Sequence, residues 1–268
     1  MSVKQRTLKS EFSLNGKGLH TGKQVTATFK PAEENFGYRI RRMDLEGSPE
    51  IPALAEYVKL MDRASCLEKD GVCVFTMEHA MAALYGSGID NCLIELSGEE
   101  FPILDGSAKY YVEEIEKVGF EEQKADRRYF TVKEQMEFCS EDGQTKITLL
   151  PDTDYNINLV VAYDSPYLQM QYATYSEKVT DFAKEIAPCR TFVFLRELEM
   201  LLQHNLIKGG DLDNAIVIVD REISQEEVNR LAKLFNHDSI EVKQGILNNL
   251  DLYFDNEPAR HKLLDVIG

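Results

Sequence analysis

The sequence predicts an α+β protein built from two similarly constructed domains, each of which layers helices against a β-sheet. One supporting observation is that strand-like runs precede amphipathic helices in both halves of the chain. The other is an internal echo. "GSGIDNCLIEL" (86–96) and "KGGDLDNAIVIV" (208–219) both read as a glycine loop, an Asp-Asn pair and an apolar strand. We therefore expect domains over residues 1–124 and 125–268.

In the first half, strands are predicted over 23–30, 37–44 and 51–58, where β-branched and aromatic residues alternate with polar ones. A helix is predicted over 76–86, with Thr76 as its N-cap and Gly86 as its stop. The apolar run 91–96 predicts a strand, and the amphipathic run 108–120 predicts a helix that closes this half.

The polar segment "EEQKADRR" (121–128) is interpreted as the boundary between the domains. The second half is predicted to contain four strands, then a helix, a strand and a helix: 129–139, 145–151, 155–163, 168–176, 194–209, 214–220 and 224–235. The last of these helices begins with the capping-box pattern Ser224-x-x-Glu227.

The composition of the chain argues against several classes of function. The 268 residues carry a net charge of −16, which argues against general nucleic-acid binding. No run of 18 apolar residues suits a membrane-spanning helix, and the first residues do not resemble a signal peptide. The five cysteines are odd in number and lack a C-x-x-C pattern, which favours reduced thiols in a cytoplasm.

Two short stretches carry residue types that bind metals. Glu78-His79 falls in the first turn of the predicted helix 76–86. Adjacent helical residues diverge by about 100°, so one of them can bind an ion while the other reaches water beside it. His261-x-x-x-Asp265, within "EPARHKLLDVIG", places two further ligand types on one helix face.

Each stretch also has a structural interpretation. Glu78 can simply favour a helix N-terminus, His79 can be a core histidine, and His261 with Asp265 can form an intrahelical pair. Taken together, His79, His261 and Asp265 suit a three-ligand zinc site with one open position. Glu78 would then be a general base, and the adjacent Lys262 would offer positive charge to an oxyanion or phosphate.

Other polar residues are open to two interpretations. His20 in "GLHTG" lies either at a ligand or in a solvated hairpin turn. Thr191 in "CRTFVF" is either a hydroxyl donor to an oxyanion or the N-cap of the following helix. His204 and His237 are interpreted as structural, at a helix end and in a solvated loop.

Six motifs occur in order along this chain: "LNGKGLHTGK", "TMEHAMAALYGSGIDNCLIEL", "FPILDGSA", "CRTF", "KGGDLDNAIVIV" and "RHKLLDVIG". Together they closely resemble the zinc-dependent UDP-3-O-acyl-N-acetylglucosamine deacetylase family of lipid A biosynthesis. The resemblance runs from about residue 4 to the end of the sequence. It implies two α+β domains with the active site between them.

By motif matching, the resemblance implies Zn²⁺ held by His79, His261 and Asp265, with Glu78 as general base. Thr191 matches the threonine that stabilises the oxyanion with zinc, and Lys262 matches a basic residue of the site. His20 and Phe192 are expected to contact substrate, and Asp105 is expected to support the site or simply form an Asp-Gly turn. The implied reaction hydrolyses the 2-acetamido group of the UDP-linked, 3-O-acylated sugar and releases acetate.

The family also implies a general-acid histidine in a downstream "SGH" motif, which this sequence does not contain. We expect that the chain is truncated; the alternatives are that Lys262 supplies the proton or that the chain is inactive. A non-catalytic fragment that binds nucleotide sugar or acyl ligand, or a different zinc amidohydrolase, also stays open. The resemblance further implies a cytoplasmic location, peripheral contact with the inner membrane, and a fused or associated hydroxyacyl-carrier-protein dehydratase.

Overall fold

The computed structural model describes residues 3–59, 65–163, 165, 168–203, 208–235, 238–243, 245–247 and 251–268. The predictions for His204 and His237 fall outside these ranges. Helices and strands are interleaved and the strands form several mostly antiparallel sheets, which makes the chain an α+β protein as predicted.

The strands of the first half are β1 (Lys4–Leu8), β2 (Phe12–Lys17), β3 (Gln24–Pro31), β4 (Tyr38–Arg42), β5 (Glu50–Pro52), β6 (Val58–Lys59), β7 (Cys66–Lys69), β8 (Val72–Phe75) and β9 (Cys92–Leu96). A five-stranded sheet has the order β2-β3-β9-β4-β5, and β6-β7-β8 form a smaller sheet. In the larger sheet β9 runs antiparallel to β3 and parallel to β4. Alternate residues of β3, among them Phe29, are buried in the core.

Two helices cover this sheet, α1 (Glu78–Gly86) and α2 (Lys109–Val118). Residues 79–84 of α1 are all buried, because the helix has neighbours on more than one side. The predicted N-cap is wrong. Met77 occupies the N-cap position, while Thr76 has a φ of +56° and donates its hydroxyl to Glu100. The helix ends at Gly86 as predicted.

The strands of the second half are β10 (Phe120–Asp126), β11 (Met136–Cys139), β12 (Lys146–Leu149), β13 (Asn156–Val161), β14 (Gln171–Ser176), β15 (Phe192–Phe194), β16 (Ile216–Ile218), β17 (Val242–Lys243) and β18 (Ile246–Leu247). The helices are α3 (Phe182–Glu185), α4 (Leu195–Gln203), α5 (Gln225–Leu234) and α6 (Glu257–Ile267). A mixed sheet has the order β15-β16-β18-β17, and two hairpins, β11-β12 and β13-β14, form separate ladders.

The segment predicted as a boundary, 121–128, forms most of β10, which pairs antiparallel with β1. The division into domains at residue 124 stays a prediction. The internal echo has a local counterpart: β9 and β16, which both follow an Asp-Asn pair, each run parallel to one neighbour, β4 and β15 respectively.

Some predicted elements are shorter than expected or split. The predicted strand 51–58 is divided into β5, a short 3-10 helix over Ala55–Tyr57, and β6. Local turn hydrogen bonds replace the ladder there, since the N–H of Leu54 donates to the carbonyl of Pro52. The capping box is confirmed in part, because the Ser224 hydroxyl accepts from the N–H of Glu227 at the start of α5.

Helix α6 packs against α1 and against the inner face of the β13-β14 hairpin. Its residues Ala259, Leu263 and Leu264 are buried and join the same core as α1 and the five-stranded sheet. This packing brings together two helices that lie far apart in the sequence. None of the helices in the described part of the chain is both long and apolar enough to cross a membrane.

Candidate metal centre

The candidate site forms where α1 crosses α6. His79 is the second residue of α1 and is 4% exposed, while His261 lies in the middle of α6 and is 2% exposed. Asp265 follows His261 by four residues, so α6 presents both side chains on one face as the spacing predicted. The helix crossing therefore brings the three predicted ligands together.

Their ligand atoms converge. The Nε2 atom of His261 lies 3.3 Å from Oδ1 of Asp265, and the Nε2 atom of His79 lies 4.0 Å from the same oxygen. The two imidazole rings are 5.1 Å apart between centroids and nearly perpendicular, at 83°. All three ligand atoms lie within 4.8 Å of one another.

This arrangement fits a tetrahedral metal ion. Ligands that each lie about 2.0–2.2 Å from zinc are separated from one another by roughly 3.4 Å. The separation of His261 and Asp265, 3.3 Å, matches this value, and that of His79 and Asp265, 4.0 Å, is somewhat longer. Burial lowers the pKa of His79, and the neighbouring His261 lowers it further, so the neutral imidazole that binds metals is favoured. Burial opposes ionisation of Asp265, but His261, Lys262 and His79 together hold its pKa below the ordinary value.

The tautomer of His261 follows from its second nitrogen. Nδ1 lies 3.0 Å from the carbonyl oxygen of Cys189, which can only accept a hydrogen bond. Nδ1 therefore carries the proton and donates it. The lone pair of Nε2 then faces Asp265 and His79, which is the arrangement that a metal ligand requires.

Glu78 precedes His79 at the start of α1. Its Oε2 atom is buried and has no hydrogen-bond partner among the described residues. Burial raises the pKa of Glu78, although the neighbouring His79 opposes this effect. A buried carboxylate oxygen without a donor can accept a proton from a ligand or water at the site.

The "CRTF" segment lies beside α6. The N–H of Thr191 donates to the carbonyl of Gly106 at 2.7 Å, and the carbonyl of Thr191 accepts from the N–H of Ile216 at 2.8 Å. Phe192 follows, with its ring centroid 6.4 Å from that of His261. The interpretation of Thr191 as an N-cap is wrong, because β15 separates it from α4.

Lys262 extends this side of the site. Its Nζ atom lies 2.9 Å from Oδ2 of Asp265 and 5.5 Å from the ring centroid of Phe192. The side chain is half-exposed. It can therefore meet an anionic ligand beside the three converging side chains.

His20 lies in the turn between β2 and β3, and Asp105 lies in the loop before α2. The N–H of His20 donates to Glu100, and its carbonyl accepts from the N–H of Lys208 at 3.4 Å. Within the described residues these contacts tie His20 to its turn and to Lys208, and its role toward substrate stays a prediction. Asp105 accepts from the N–H and hydroxyl of Ser107, so it forms the predicted turn. Its role in supporting the site stays a prediction.

The sequence did not reveal one buried ion pair that supports the site. Arg190 contacts Glu257, the first residue of α6, through its own N–H at 3.0 Å and its Nε at 2.9 Å. Glu257 is 0% exposed and also accepts from the N–H of Tyr253. An acidic residue in the first turn of a helix is common, so the pattern gave no sign of a buried partner.

A cavity of about 360 Å³, lined by both polar and apolar residues, borders the N-terminal end of α6. Its lining includes Leu168, Ile246 and Leu252, which pack with Phe192 in one apolar cluster. The cluster thus extends from the neighbourhood of His261 to this cavity.

Comparison with known proteins gives consistent matches. A sequence model described as "UDP-3-O-acyl N-acetylglycosamine deacetylase" matches residues 5–237. A Bacteroides thetaiotaomicron protein named "Bifunctional enzyme LpxC/FabZ" is 53% identical over 267 residues, which is 99% of this chain and 58% of that protein. A Porphyromonas gingivalis protein of the same name is 50% identical over 266 residues, which is 99% of this chain and 57% of that protein.

A third relative, from Marinobacter nauticus, is named "UDP-3-O-acyl-N-acetylglucosamine deacetylase". It is 38% identical over 268 residues, which is 99% of this chain and 80% of that protein. The chain thus spans a little over half the length of the bifunctional relatives and four fifths of this one.

Proposed function

Because the chain belongs to the UDP-3-O-acyl N-acetylglycosamine deacetylase family, we propose that it hydrolyses the 2-acetamido group of UDP-3-O-acyl-N-acetylglucosamine. The products are acetate and the free amine, in lipid A biosynthesis. The observation that carries the proposal is the convergence of His79, His261 and Asp265 beside the buried carboxyl of Glu78.

We propose that these three side chains hold Zn²⁺. The donor set of two neutral imidazoles and one carboxylate is typical of catalytic zinc sites. When bound, zinc would act as a Lewis acid toward the amide carbonyl and lower the pKa of water in the site. The Cys189 carbonyl supports this role by orienting the His261 ring.

Glu78 is the proposed general base. Its unpartnered oxygen would accept the proton of the water that attacks the amide carbon. The raised pKa of Glu78 lets the carboxyl keep that proton. The same group can then pass the proton to the leaving amine nitrogen, which gives the chain a proton donor among its own residues.

Other residues are proposed to bind substrate. Thr191 would donate its hydroxyl to the oxyanion of the tetrahedral intermediate. Lys262, half-exposed and next to Asp265, would meet the diphosphate or the developing negative charge. Phe192 and the apolar cluster that it joins would contact the acyl chain. His20 would also contact the substrate.

Two broader features belong to the same proposal. All five cysteines are unpaired, which suits a reducing cytoplasm. Relatives named as bifunctional support association with the predicted hydroxyacyl-carrier-protein dehydratase.

The test is an acetate-release assay with UDP-3-O-acyl-N-acetylglucosamine and zinc, on this chain and on its longest natural reading frame. Acetate release that requires zinc and is lost in Glu78→Gln supports the proposal. If neither protein releases acetate while both bind the substrate, the non-catalytic binding alternative replaces it. Release of acetate from simple acetamides at equal efficiency would instead indicate a different amidohydrolase.

A further inference from the structure

Glu100 is a buried carboxylate that joins two loops near the site. It is 2% exposed, and from the described part of the chain it accepts four hydrogen bonds, all from neutral donors. Two of these donors are the N–H groups of His20 and Thr21, at 2.8 and 2.9 Å. The others are the hydroxyls of Thr21 and Thr76, at 2.8 and 3.2 Å. Among the described residues no basic side chain pairs with this carboxylate.

We propose that Glu100 is a positioning residue for the candidate active site, with one arm on the chain that enters α1 and another on the turn Gly18–Gly22. The kinetic part of this inference rests on the proposed deacetylase function. The structural part does not.

The first arm acts on Glu78 and His79. Thr76 has a φ of +56°, a backbone conformation that costs a β-branched residue free energy and persists only where neighbours enforce it. The Glu100 carboxylate accepts the Thr76 hydroxyl, and the N–H of Phe75 donates to the carbonyl of Glu99 at 2.9 Å. These contacts fix the direction in which the chain enters α1, two residues before Glu78.

The second arm acts on the turn Gly18–Gly22. Glu100 binds consecutive N–H groups of this turn, and a Cβ at Gly18 would lie 2.2 Å from Glu100 Oε2. This turn also contacts the second half of the chain, because the N–H of Gly209 donates to the carbonyl of Leu19 at 2.9 Å. Glu100 therefore sets the position of the His20 backbone against the loop that contains Gly209.

A purely structural role would lower stability without a separate effect on either arm. The geometry instead predicts that the arms can be perturbed independently. Loss of the Thr76 hydroxyl would affect the placement of Glu78 and His79, and hence kcat. Loss of the carboxylate would also loosen the turn, and hence affect substrate binding through His20.

The experiment compares four variants with the unsubstituted protein, well below their melting temperatures. In Glu100→Gln the amide N–H₂ cannot accept from the turn, so we expect kcat to fall by about tenfold and KM to rise by about fivefold. Thr76→Val keeps the side-chain shape but removes the hydroxyl, so kcat should fall about tenfold while KM changes by no more than about twofold. Thr76→Ser keeps the hydroxyl and should therefore have the kcat of the unsubstituted protein. Glu99→Gln, at an exposed neighbour paired with Lys23, is the matched control and should leave kcat and KM unchanged.

Amide hydrogen exchange gives a readout that does not need activity. Exchange of the His20, Thr21 and Gly209 amides should be at least about tenfold faster in Glu100→Gln and unchanged in Glu99→Gln and Thr76→Val. If Glu100→Gln only lowers the melting temperature, with kcat, KM and these amides unchanged, the inference is wrong. If the unsubstituted protein releases no acetate, the proposed function fails, and the exchange contrast alone decides whether Glu100 holds the turn.

Discussion

The Nδ1 atom of His261 faces the carbonyl oxygen of Cys189 at 3.0 Å, inside the core. The carbonyl belongs to the backbone that continues into Arg190 and Thr191, so the segment that carries the proposed oxyanion donor also orients a proposed metal ligand. The Cys189 thiol takes no part in this contact. The orientation of the His261 ring therefore depends on where the backbone places the Cys189 carbonyl.

Zinc binding should depend on both helices. His79→Ala and His261→Ala each remove one ligand, and we expect zinc affinity to fall by at least about tenfold. Metal analysis after dialysis measures this, with His20→Ala as the histidine control that keeps its zinc. Variants at 79 and 261 that retain as much zinc as the control would contradict the assignment.

Glu78→Gln should abolish most of the activity. A general base contributes about 10²–10⁴-fold to kcat, and the amide cannot accept the proton. Because burial raises the pKa of Glu78, the acid limb of the kcat/KM profile should lie above the ordinary carboxyl value of 4.5. A limb at or below that value would contradict this role of Glu78.

The same substitution should not destabilise the zinc-free protein. The folded protein holds the Glu78 proton more tightly than the unfolded chain, so stability falls as pH rises from the unfolded pKa through the folded one. At a pH above both pKa values, the buried, ionised Glu78 carboxylate lowers the stability of the folded protein, and the neutral Gln side chain does not. Urea unfolding at neutral pH should therefore show Glu78→Gln to be at least as stable as its parent; a clear loss would contradict this.

Glu257→Gln should be strongly destabilising, by about 3 kcal/mol, because it leaves Arg190 buried without its charged partner. Glu185→Gln is the control. It removes a carboxylate that is half-exposed and 3.7 Å from Arg260, and should cost less than about 1 kcal/mol. Equal free energies of unfolding for the two variants would show that the buried pair is not the stronger support.

Gly106→Ala should destabilise the protein by more than Gly143→Ala. Both glycines have positive φ, +81° and +70°, so the backbone penalty of about 1–2 kcal/mol is shared. Only at Gly106 would the new Cβ collide with backbone, 2.1 Å from the Asn214 carbonyl oxygen. The difference between the two free energies of unfolding measures this close approach, and no difference would mean that the loops separate easily.

The spacing of residues within one segment correctly predicted features that form within that segment. The four-residue interval of His261 and Asp265 predicted a shared helix face, and α6 confirms it. Ser224 predicted the start of α5 because its hydroxyl bonds within the same turn. The family resemblance is confirmed as well, whereas the zinc ion and the roles of the individual residues stay predictions.

Local sequence patterns did not predict the contacts between residues that are far apart in the sequence. Threonine is a common N-cap residue, but the hydroxyl of Thr76 donates to Glu100 on another segment. Arg190 and Glu257 are 67 residues apart, and no pattern in one points to the other. Cys189 acts through its carbonyl, which every residue has, so its side chain carried no signal.

His79 and His261 lie far apart in the sequence, and their contact closes about two thirds of the 268 residues into one loop. The entropy of closing a loop grows with its length, though only by about 0.6 kcal/mol for each doubling. A metal ion shared by these residues would thus act as a cross-link over most of the sequence. Because its ligands would come from both helices, the site would be complete only where α6 is docked on α1.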